Sequence, residues 1–260
     1  MLGRMRTPIL GFYDRLARDF HLIYPDWGAA ITWQSRVIDH IIRGLGRTPP
    51  LDLLDCACGI GTQTIGLAML GYRLLGTDLS AHAIRRARRE ARARGVGVRF
   101  LEADFRALHK ATHDTFDVVI CCDNSLAHMM TAHDLARAVK SIAARLKTSG
   151  FFLASIRDYD DLTRTRPAFT PPVRFRDPAG ARIVFQHWNW RRDGRTYDQH
   201  LFIIKGRGDR WALRHYLGRS RALPRGELTK RLRGAGLKNV RWMMPEQTGY
   251  HQPIVIAGRM

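Results

Sequence analysis

The chain has 260 residues, with 43 Lys or Arg against 23 Asp or Glu, a formal net charge of +20. Hydrophobic residues make up 45% and aromatics 9%, which excludes a disordered or fibrous chain and fits one large α/β domain or two small ones. The longest charge-free run, Cys56 to Tyr72, is too short and too rich in glycine to span a membrane.

The basic start Met1-Leu2-Gly3-Arg4-Met5-Arg6 leads into no apolar signal segment, so a cytoplasmic location is expected. From residue 51 onward, strand-like runs alternate with helical patterns. Leu51–Cys56 reads as a strand and Thr62–Leu70 as a helix stopped by Gly71. Arg73–Asp78 is a second strand, after which Ser80 caps a helix running to Arg94 and closed by Gly95. Val96–Leu101 and Phe116–Cys122 follow as strands, then a helix over Asp134–Leu146 and a fifth strand, Phe151–Ile156. This alternation predicts a parallel sheet with helices on both faces.

The grammar changes after Ile156. A stretch bearing Pro167, Pro171, Pro172 and Pro178 precedes two strand-like runs, Arg182–Arg191 and Thr196–Lys205, joined across Asp193-Gly194, a turn pair suited to a hairpin. Trp211–Leu217 adds a third antiparallel strand. A helix over Arg225–Arg233 and strands at Val240–Met243 and Ile254–Gly258 return to the main sheet, giving seven strands. Three parts result: a helical N-terminal segment over 1–48, a core over 49–160 and 222–260, and an antiparallel insertion over 161–221.

Two local patterns read as packing. Arg85, Arg88, Arg89 and Arg92 share one side of their helix, with Ala83, Ile84, Ala87 and Ala91 on the other, the pattern of a solvated amphipathic face. Trp188 and Trp190 alternate along a strand and point to one face. The cysteines form Cys56-x-Cys58 and Cys121-Cys122 inside apolar runs, a spacing that suits buried thiols and not a zinc site.

The chemistry concentrates at strand ends. Asp55-Cys56-Ala57-Cys58-Gly59-Ile60-Gly61 turns at the carboxyl end of the first strand, where open α/β sheets bind ligands and where glycines let a ligand approach the backbone. A phosphate loop would need Gly-Lys-Ser/Thr, which is absent. A dinucleotide loop would want a small third residue where Thr64 stands, and Asp55 would repel a pyrophosphate but suits a ligand bearing an ammonium and a sulfonium. Asp78 ends the second strand at the spacing expected of a carboxylate that bonds ribose hydroxyls. Asp104 with Phe105 follows the third strand, and Asp123-Asn124-Ser125 the fourth. Each junction sets a polar residue on one edge of the sheet.

With these elements the chain resembles the class I S-adenosylmethionine-dependent methyltransferases, and within them the glycine/sarcosine N-methyltransferases. The likeness runs through Phe12-Tyr13-Asp14-Arg15-Leu16-Ala17, the glycine loop through Thr62-Gln63, Asp123-Asn124-Ser125-Leu126, Ile156-Arg157-Asp158-Tyr159-Asp160 and Gly249-Tyr250-His251-Gln252-Pro253. The glycine loop is general to the superfamily, and the Asn-Ser and Arg-Asp-Tyr-Asp elements are more particular to that branch. The resemblance implies a Rossmann-like, seven-stranded, mostly parallel sheet with a small antiparallel substrate lid, and S-adenosylmethionine as cofactor, leaving as S-adenosylhomocysteine.

It further implies that Ala57, Gly59 and Gly61 line the methionine part of the cofactor and that Asp78 and Leu79 hold the ribose. Asp104 and Phe105 would frame the adenine, Asp123 would join the same site, and Tyr24, Trp33 and Arg36 would cover it, with Arg36 on the cofactor carboxylate. For the substrate, Asn124 would orient an amine, Arg157 would clamp a carboxylate with its guanidinium fork, and Tyr216 would stand on the lid. Arg157 has a structural alternative, an ion pair with Asp158, Asp160 or Asp161. His128 reads as a capping or packing residue, Tyr13 as a staple of the first helix, and no dedicated general base is evident.

The expected acceptor is the amine of glycine, sarcosine or a related small molecule. Departures at Ala127-His128-Met129-Met130 and Phe20-His21-Leu22 leave oxygen and sulfur acceptors open. The net charge keeps a nucleic-acid substrate as the second reading, although the Pro-Pro-aromatic element of base methyltransferases is absent after Asp123-Asn124. A non-catalytic cofactor-binding module is a third. Oligomeric state is not legible.

Overall fold

The computed structural model describes residues 8–177 and 180–260; the basic stretch Met1–Arg6 and Pro178 lie outside the described residues. The helices are α1 (Pro8–Leu16), α2 (Trp27–Gly44), α3 (Thr62–Met69), α4 (Ala81–Ala93), α5 (Ala132–Ala143), α6 (Tyr159–Thr165), α7 (Arg225–Gly234) and α8 (Pro245–Thr248). The strands are β1 (Asp52–Asp55), β2 (Arg73–Asp78), β3 (Arg99–Glu102), β4 (Phe116–Cys121), β5 (Leu146–Ser155), β6 (Val173–Asp177), β7 (Gly180–Trp190), β8 (Thr196–Arg207), β9 (Arg210–Arg221), β10 (Lys238–Met243) and β11 (Ile254–Gly258).

Seven strands form one sheet in the order β10-β11-β5-β4-β1-β2-β3, with β11 antiparallel to both neighbours. The central strands read as continuous apolar runs because both their faces are covered. Leu54, Val119 and Phe152 pack with Leu135 and Val139 of α5 and Leu228 and Leu232 of α7. Their neighbours Leu53, Val118 and Leu153 pack with Ile38 of α2 and Leu67 of α3 on the opposite face. All six strand residues are fully buried. Helix α4 starts where the sequence places it: the Ser80 hydroxyl accepts the Ala83 N–H at 3.1 Å. Its basic face is solvated as expected, with Arg85, Arg88, Arg89 and Arg92 exposed.

The second sheet has four antiparallel strands, β6-β7-β8-β9. Three were expected, although β9 runs further than Trp211–Leu217. The fourth, β6, lies in the proline-bearing stretch and pairs with β7 from Val173↔Val184 to Asp177↔Gly180. Prolines 171 and 172 precede it, a position where a missing N–H costs no ladder bond. One face of this sheet buries Val184, Leu201, Ile203 and Tyr216 against Phe12 and Leu16 of α1 and Leu22. Helix α1 thus fastens this second sheet beside the carboxyl ends of the main sheet. Among the described residues, no helix is long and apolar enough to cross a membrane.

Candidate cofactor and substrate site

A cavity of about 860 Å³ opens above the carboxyl ends of β1, β2 and β4. The glycine loop forms its floor through Ala57, Cys58 and Gly59, while Asp78, Leu79, Asp104, Phe105 and Asp123 line its walls. Gly59 has φ +55° and open space where a Cβ would sit, so the backbone is bare toward the cavity. Its N–H donates to Asp78 at 2.9 Å, and the Ser80 N–H donates to the other oxygen at 2.8 Å. Two backbone donors therefore fix the carboxylate, while each oxygen keeps a lone pair for a further donor. Burial raises the Asp78 pKa, against the pull of those two N–H groups.

Several expected residues stand elsewhere. Gly61, at φ +95°, is the residue before α3; a Cβ there would lie 2.9 Å from Ile65 Cδ1, so it shapes the turn and does not line the cavity. Asp55 is turned away as well. Its carboxylate accepts the Thr64 hydroxyl at 2.6 Å and the Ala57 N–H at 3.3 Å, tying loop to helix. Burial drives its pKa up to about 7. Asp104 does line the wall, but Arg106 grips both its oxygens and also reaches Asp134 at 3.1 Å. Burial would raise Asp104; the Arg106 bonds outweigh it and hold the carboxyl below its usual range.

Trp33 and Arg36 lie on the outer side of α2, because the helix turns Ala30, Ile31, Gln34 and Ser35 inward. Arg36 is exposed, and Trp33 stacks on Tyr250 with ring centres 5.8 Å apart. The expected grip of Arg36 on a cofactor carboxylate has no support in this placement. Tyr216 is likewise off the cavity: it packs against α1, where its hydroxyl donates to Asp19. It seats the second sheet on α1.

The residues that complete the cavity were read as packing or were not singled out. The Tyr13 hydroxyl and His128 Nε2 are 2.7 Å apart, and His128 Nδ1 lies 3.2 Å from the Arg219 carbonyl. A carbonyl can only accept, so Nδ1 carries the proton and Nε2 accepts from Tyr13. Burial, with the nearby Arg157 charge, lowers the His128 pKa to about 4, keeping the imidazole neutral. The Tyr13 pKa is raised by burial first and by Asp78 next, so the phenol stays protonated. Met129 and Met130 add a polarisable wall.

Asp123 is held by long-range partners. It accepts from Gln63 and Tyr250 at 2.8 Å each, from Tyr24 at 3.4 Å, and faces His251 at 3.3 Å. Burial would raise its pKa; the hydrogen bond from His251 and the other donors bring it below the ordinary value. Asp123 and Asn124 both have positive φ, +55° and +69°, an uncommon pair that costs order 1 kcal/mol or more each and marks functional turns. Tyr24 reaches the site through Asp123 and is not itself a cavity wall. The buried Asn124 uses its amide oxygen to accept the Arg157 N–H at 3.2 Å, so it positions Arg157.

The structural alternative for Arg157 is not realised. Asp158 and Asp160 pair with Arg225, and Asp161 pairs with Arg164. The Arg157 guanidinium lies 4.6 Å over the Trp188 ring and donates to Tyr197 at 2.8 Å and to Gln199 and Gln186 at 3.1 Å each. Among the described residues no carboxylate partners it. Trp188 and Trp190, expected on one face, both pack on Tyr197. All four cysteines are buried free thiols.

The donor set fits an S-adenosylmethionine molecule. Asp78 offers free lone pairs that would suit ribose hydroxyls, the Leu79, Phe105, Met129 and Met130 walls would suit a flat base, and the carboxylates Asp78 and Asp123 would match a cationic ligand. Comparison with known proteins agrees. Residues 53–150 match the family described as methyltransferase domain. The chain is 34% identical over 139 residues to the glycine/sarcosine N-methyltransferase of Parasynechococcus marenigrum, covering 52% of this chain and 49% of that one. It is 32% identical over 165 residues to the glycine N-methyltransferase of Mus musculus, covering 55% and 56%. The chain spans about half the length of the curated relatives it matches. In fold it is similar to DesVI of Streptomyces venezuelae, with a TM-score of 0.77 at 19% identity over 94% of this chain and 98% of the other. Residues 53–150 thus carry a methyltransferase domain, and the fold of the chain is that of S-adenosylmethionine-dependent methyltransferases. Its matched relatives include glycine/sarcosine N-methyltransferases.

Proposed function

We propose that this chain methylates the amine of a small molecule that also carries a carboxylate, with glycine and sarcosine the first acceptors to test. The observation that carries this reading is Arg157: a half-buried guanidinium held by neutral partners, with no carboxylate partner among the described residues. Its charge is felt at Tyr13 and His128, both cavity walls. A half-buried cation with only neutral partners is poised to gain from an incoming anion, and a planar fork binds a carboxylate through two parallel hydrogen bonds.

When bound, S-adenosylmethionine supplies a methyl group that already bears its leaving group, a sulfonium. The chain's work is then positioning. Asp78 and the bare backbone at Gly59 hold one reactant, and Arg157, oriented by Asn124 and the two glutamines, holds the other by its carboxylate. Because Tyr13 donates its proton to His128, its oxygen lone pairs are left to accept an N–H from the acceptor amine. That contact turns the nitrogen lone pair toward the methyl carbon. Orientation of this kind lowers a bimolecular barrier by several kcal/mol, up to ~10.

The test is incubation with the methyl donor and a panel of small amines with and without carboxylates, read by mass spectrometry. Methylation of carboxylate-bearing amines that is lost in Arg157→Ala supports the reading. Equal rates on amines lacking a carboxylate, or an Arg157→Ala variant with unchanged kinetics, would sink it.

A further inference from the structure

The turn between α8 and β11 brings one titratable side chain to the cavity wall. His251 Nε2 lies 3.3 Å from Asp123 Oδ1, and Asp123 lines the cavity. The imidazole packs against Trp33 of α2 and against Tyr250, with ring centres 5.7 and 4.5 Å away. Its side chain is 40% exposed, so its proton exchanges with solvent. The other partners of Asp123 are the neutral donors Gln63, Tyr250 and Tyr24. Among the described residues, no Lys or Arg pairs with Asp123, and protonated His251 is its cationic partner. Burial would raise the Asp123 pKa; the hydrogen bond and charge of His251, then Tyr250 and Gln63, bring it below the ordinary value.

We infer that His251 is an exchangeable counter-ion: it balances Asp123 until the amino-acid ammonium of the cofactor takes its place, and it gives up a proton as the cofactor binds. This rests on reading the cavity as the cofactor site, with Asp123 meeting the cationic end of the ligand. Two cations against one carboxylate repel each other, and near neutral pH the imidazolium is the one that readily deprotonates. The Nδ1–H bond breaks and its proton passes to buffer, while the neutral ring keeps Nε2–H for the carboxylate. A proton released on binding means that acid opposes binding. Affinity therefore rises with pH while the ligand-free imidazole titrates, and levels off above that range.

The other groups around the pair bear on the same titration. Burial first, and Asp123 next, push the Tyr24 and Tyr250 phenols well above their usual range, so both stay protonated. Arg36 stands with Trp33 and Thr248 on the outer groove of α2 and keeps its charge throughout. Asp55 is under the influence of Asp78 and Asp123, and burial raises it to about 7. It titrates in the range of an imidazole, so a proton count on the wild type alone does not name the source. The His251→Gln variant does, because it keeps an N–H for Asp123 and removes the titration.

Calorimetry of the full chain with S-adenosylhomocysteine, which carries the ammonium, counts the protons when run in two buffers of different ionisation heat. At pH 6 the wild type should release about half a proton more than His251→Gln. Its Kd should rise about fivefold from pH 8 to pH 6, and that rise should shrink to about twofold in the variant. 5′-Methylthioadenosine, which lacks the amino-acid end, should show no release that depends on His251. In wild type, the midpoint of the His251 ring titration followed by NMR should fall by about one pH unit when S-adenosylhomocysteine binds, a readout that needs no variant to fold. A midpoint that stays in place, or equal proton release from wild type and His251→Gln, overturns the counter-ion role. Equal His251-dependent release with 5′-methylthioadenosine overturns the exchange with the ammonium. Failure of S-adenosylhomocysteine to bind at pH 8 would instead overturn the cavity as the cofactor site.

Discussion

The two halves of the cavity are built by different means. The half proposed to hold the cofactor is assembled from consecutive strand ends, each delivering one residue or a bare stretch of backbone: Ala57 and Gly59 after β1, Asp78 at the end of β2, Asp104 and Phe105 after β3, Asp123 after β4. The half proposed to hold the substrate is assembled from side chains that meet over long sequence separations: Tyr13 with His128, 115 residues apart, in the cavity lining, and Arg157 with Tyr197 and Gln199, 40 and 42 apart, outside that lining. The first construction is fixed by topology, since a parallel sheet puts all its strand ends on one edge. The second depends on how the lid and α1 dock.

If that division holds, substitutions in the two halves separate cleanly. The largest effect is expected for Asp78→Ala, which removes a carboxylate already aligned by two backbone donors. Charge-assisted hydrogen bonds contribute ~1.5–3 kcal/mol each, so cofactor affinity by titration calorimetry should fall by about 100-fold. Asp78→Asn, which keeps shape and loses charge, should recover part of it. An Asp78→Ala variant that binds the cofactor normally would mean that the ribose is held elsewhere.

Arg157→Ala comes next and tests the other half. It should raise the acceptor KM by about 50-fold and leave the cofactor dissociation constant within about twofold. Arg157→Lys should rescue little, because an ammonium on a flexible stem does not reproduce a fork held by two glutamines. Loss of cofactor affinity alone in Arg157→Ala would erase the contrast between the halves.

The same division explains what was legible before the structure. The seven-stranded sheet was readable because each central strand is an apolar run bounded by a turn residue, and Ala57, Gly59, Asp78 and Phe105 stand where strand ends must put them. Strand β6 was missed because prolines 171 and 172 dominate the stretch before it and it belongs to a sheet edge. The placement of Tyr13 and His128 in the cavity lining is not legible in the sequence because neither has a local partner; each looks like a packing residue until α1 lies on β9. Arg36 and Tyr216 depart in the opposite direction, lying outside the cavity lining. Their residue types suited the chemistry, and only the phase of α2 and the facing of β9 turn them from the cavity.

His128 gives a smaller, pH-resolved test of the substrate half. Its folded pKa of about 4 lies below the ordinary imidazole value, so the folded state prefers the neutral ring. The associated stability is fully present above pH ~6.5 and is lost as pH falls toward 4, up to roughly 3 kcal/mol. Urea unfolding of wild type should therefore lose stability between pH 7 and 4.5 more steeply than His128→Gln does. In kinetics, Tyr13→Phe removes the oxygen that faces the amine and should lower kcat by about 10-fold with cofactor affinity unchanged. A Tyr13→Phe variant altered only in cofactor affinity would move Tyr13 into the other half.

The smallest effect is expected at Arg36, and it is the sharpest check on where the cofactor half ends. Buried next to the cavity walls Thr62 and Gln63, the helix α2 presents Gln34, which accepts from Gln63 at 2.6 Å, and Trp27, whose indole donates to Thr62 at 2.9 Å. Because indole only donates, the Thr62 hydroxyl keeps its proton for another acceptor, and the Gln34 amide nitrogen is buried without a partner. One neutral donor, the Gln34 amide, therefore stands on the inner side of α2, the side away from Arg36, and the Thr62 hydroxyl offers another from α3. Arg36→Ala should change cofactor affinity by less than about twofold, whereas Gln34→Leu, which removes the buried donor, should weaken it by about 10-fold. If Arg36→Ala is the variant that loses the cofactor, α2 must rotate or shift on binding, and the inner side of that helix would no longer bound the site.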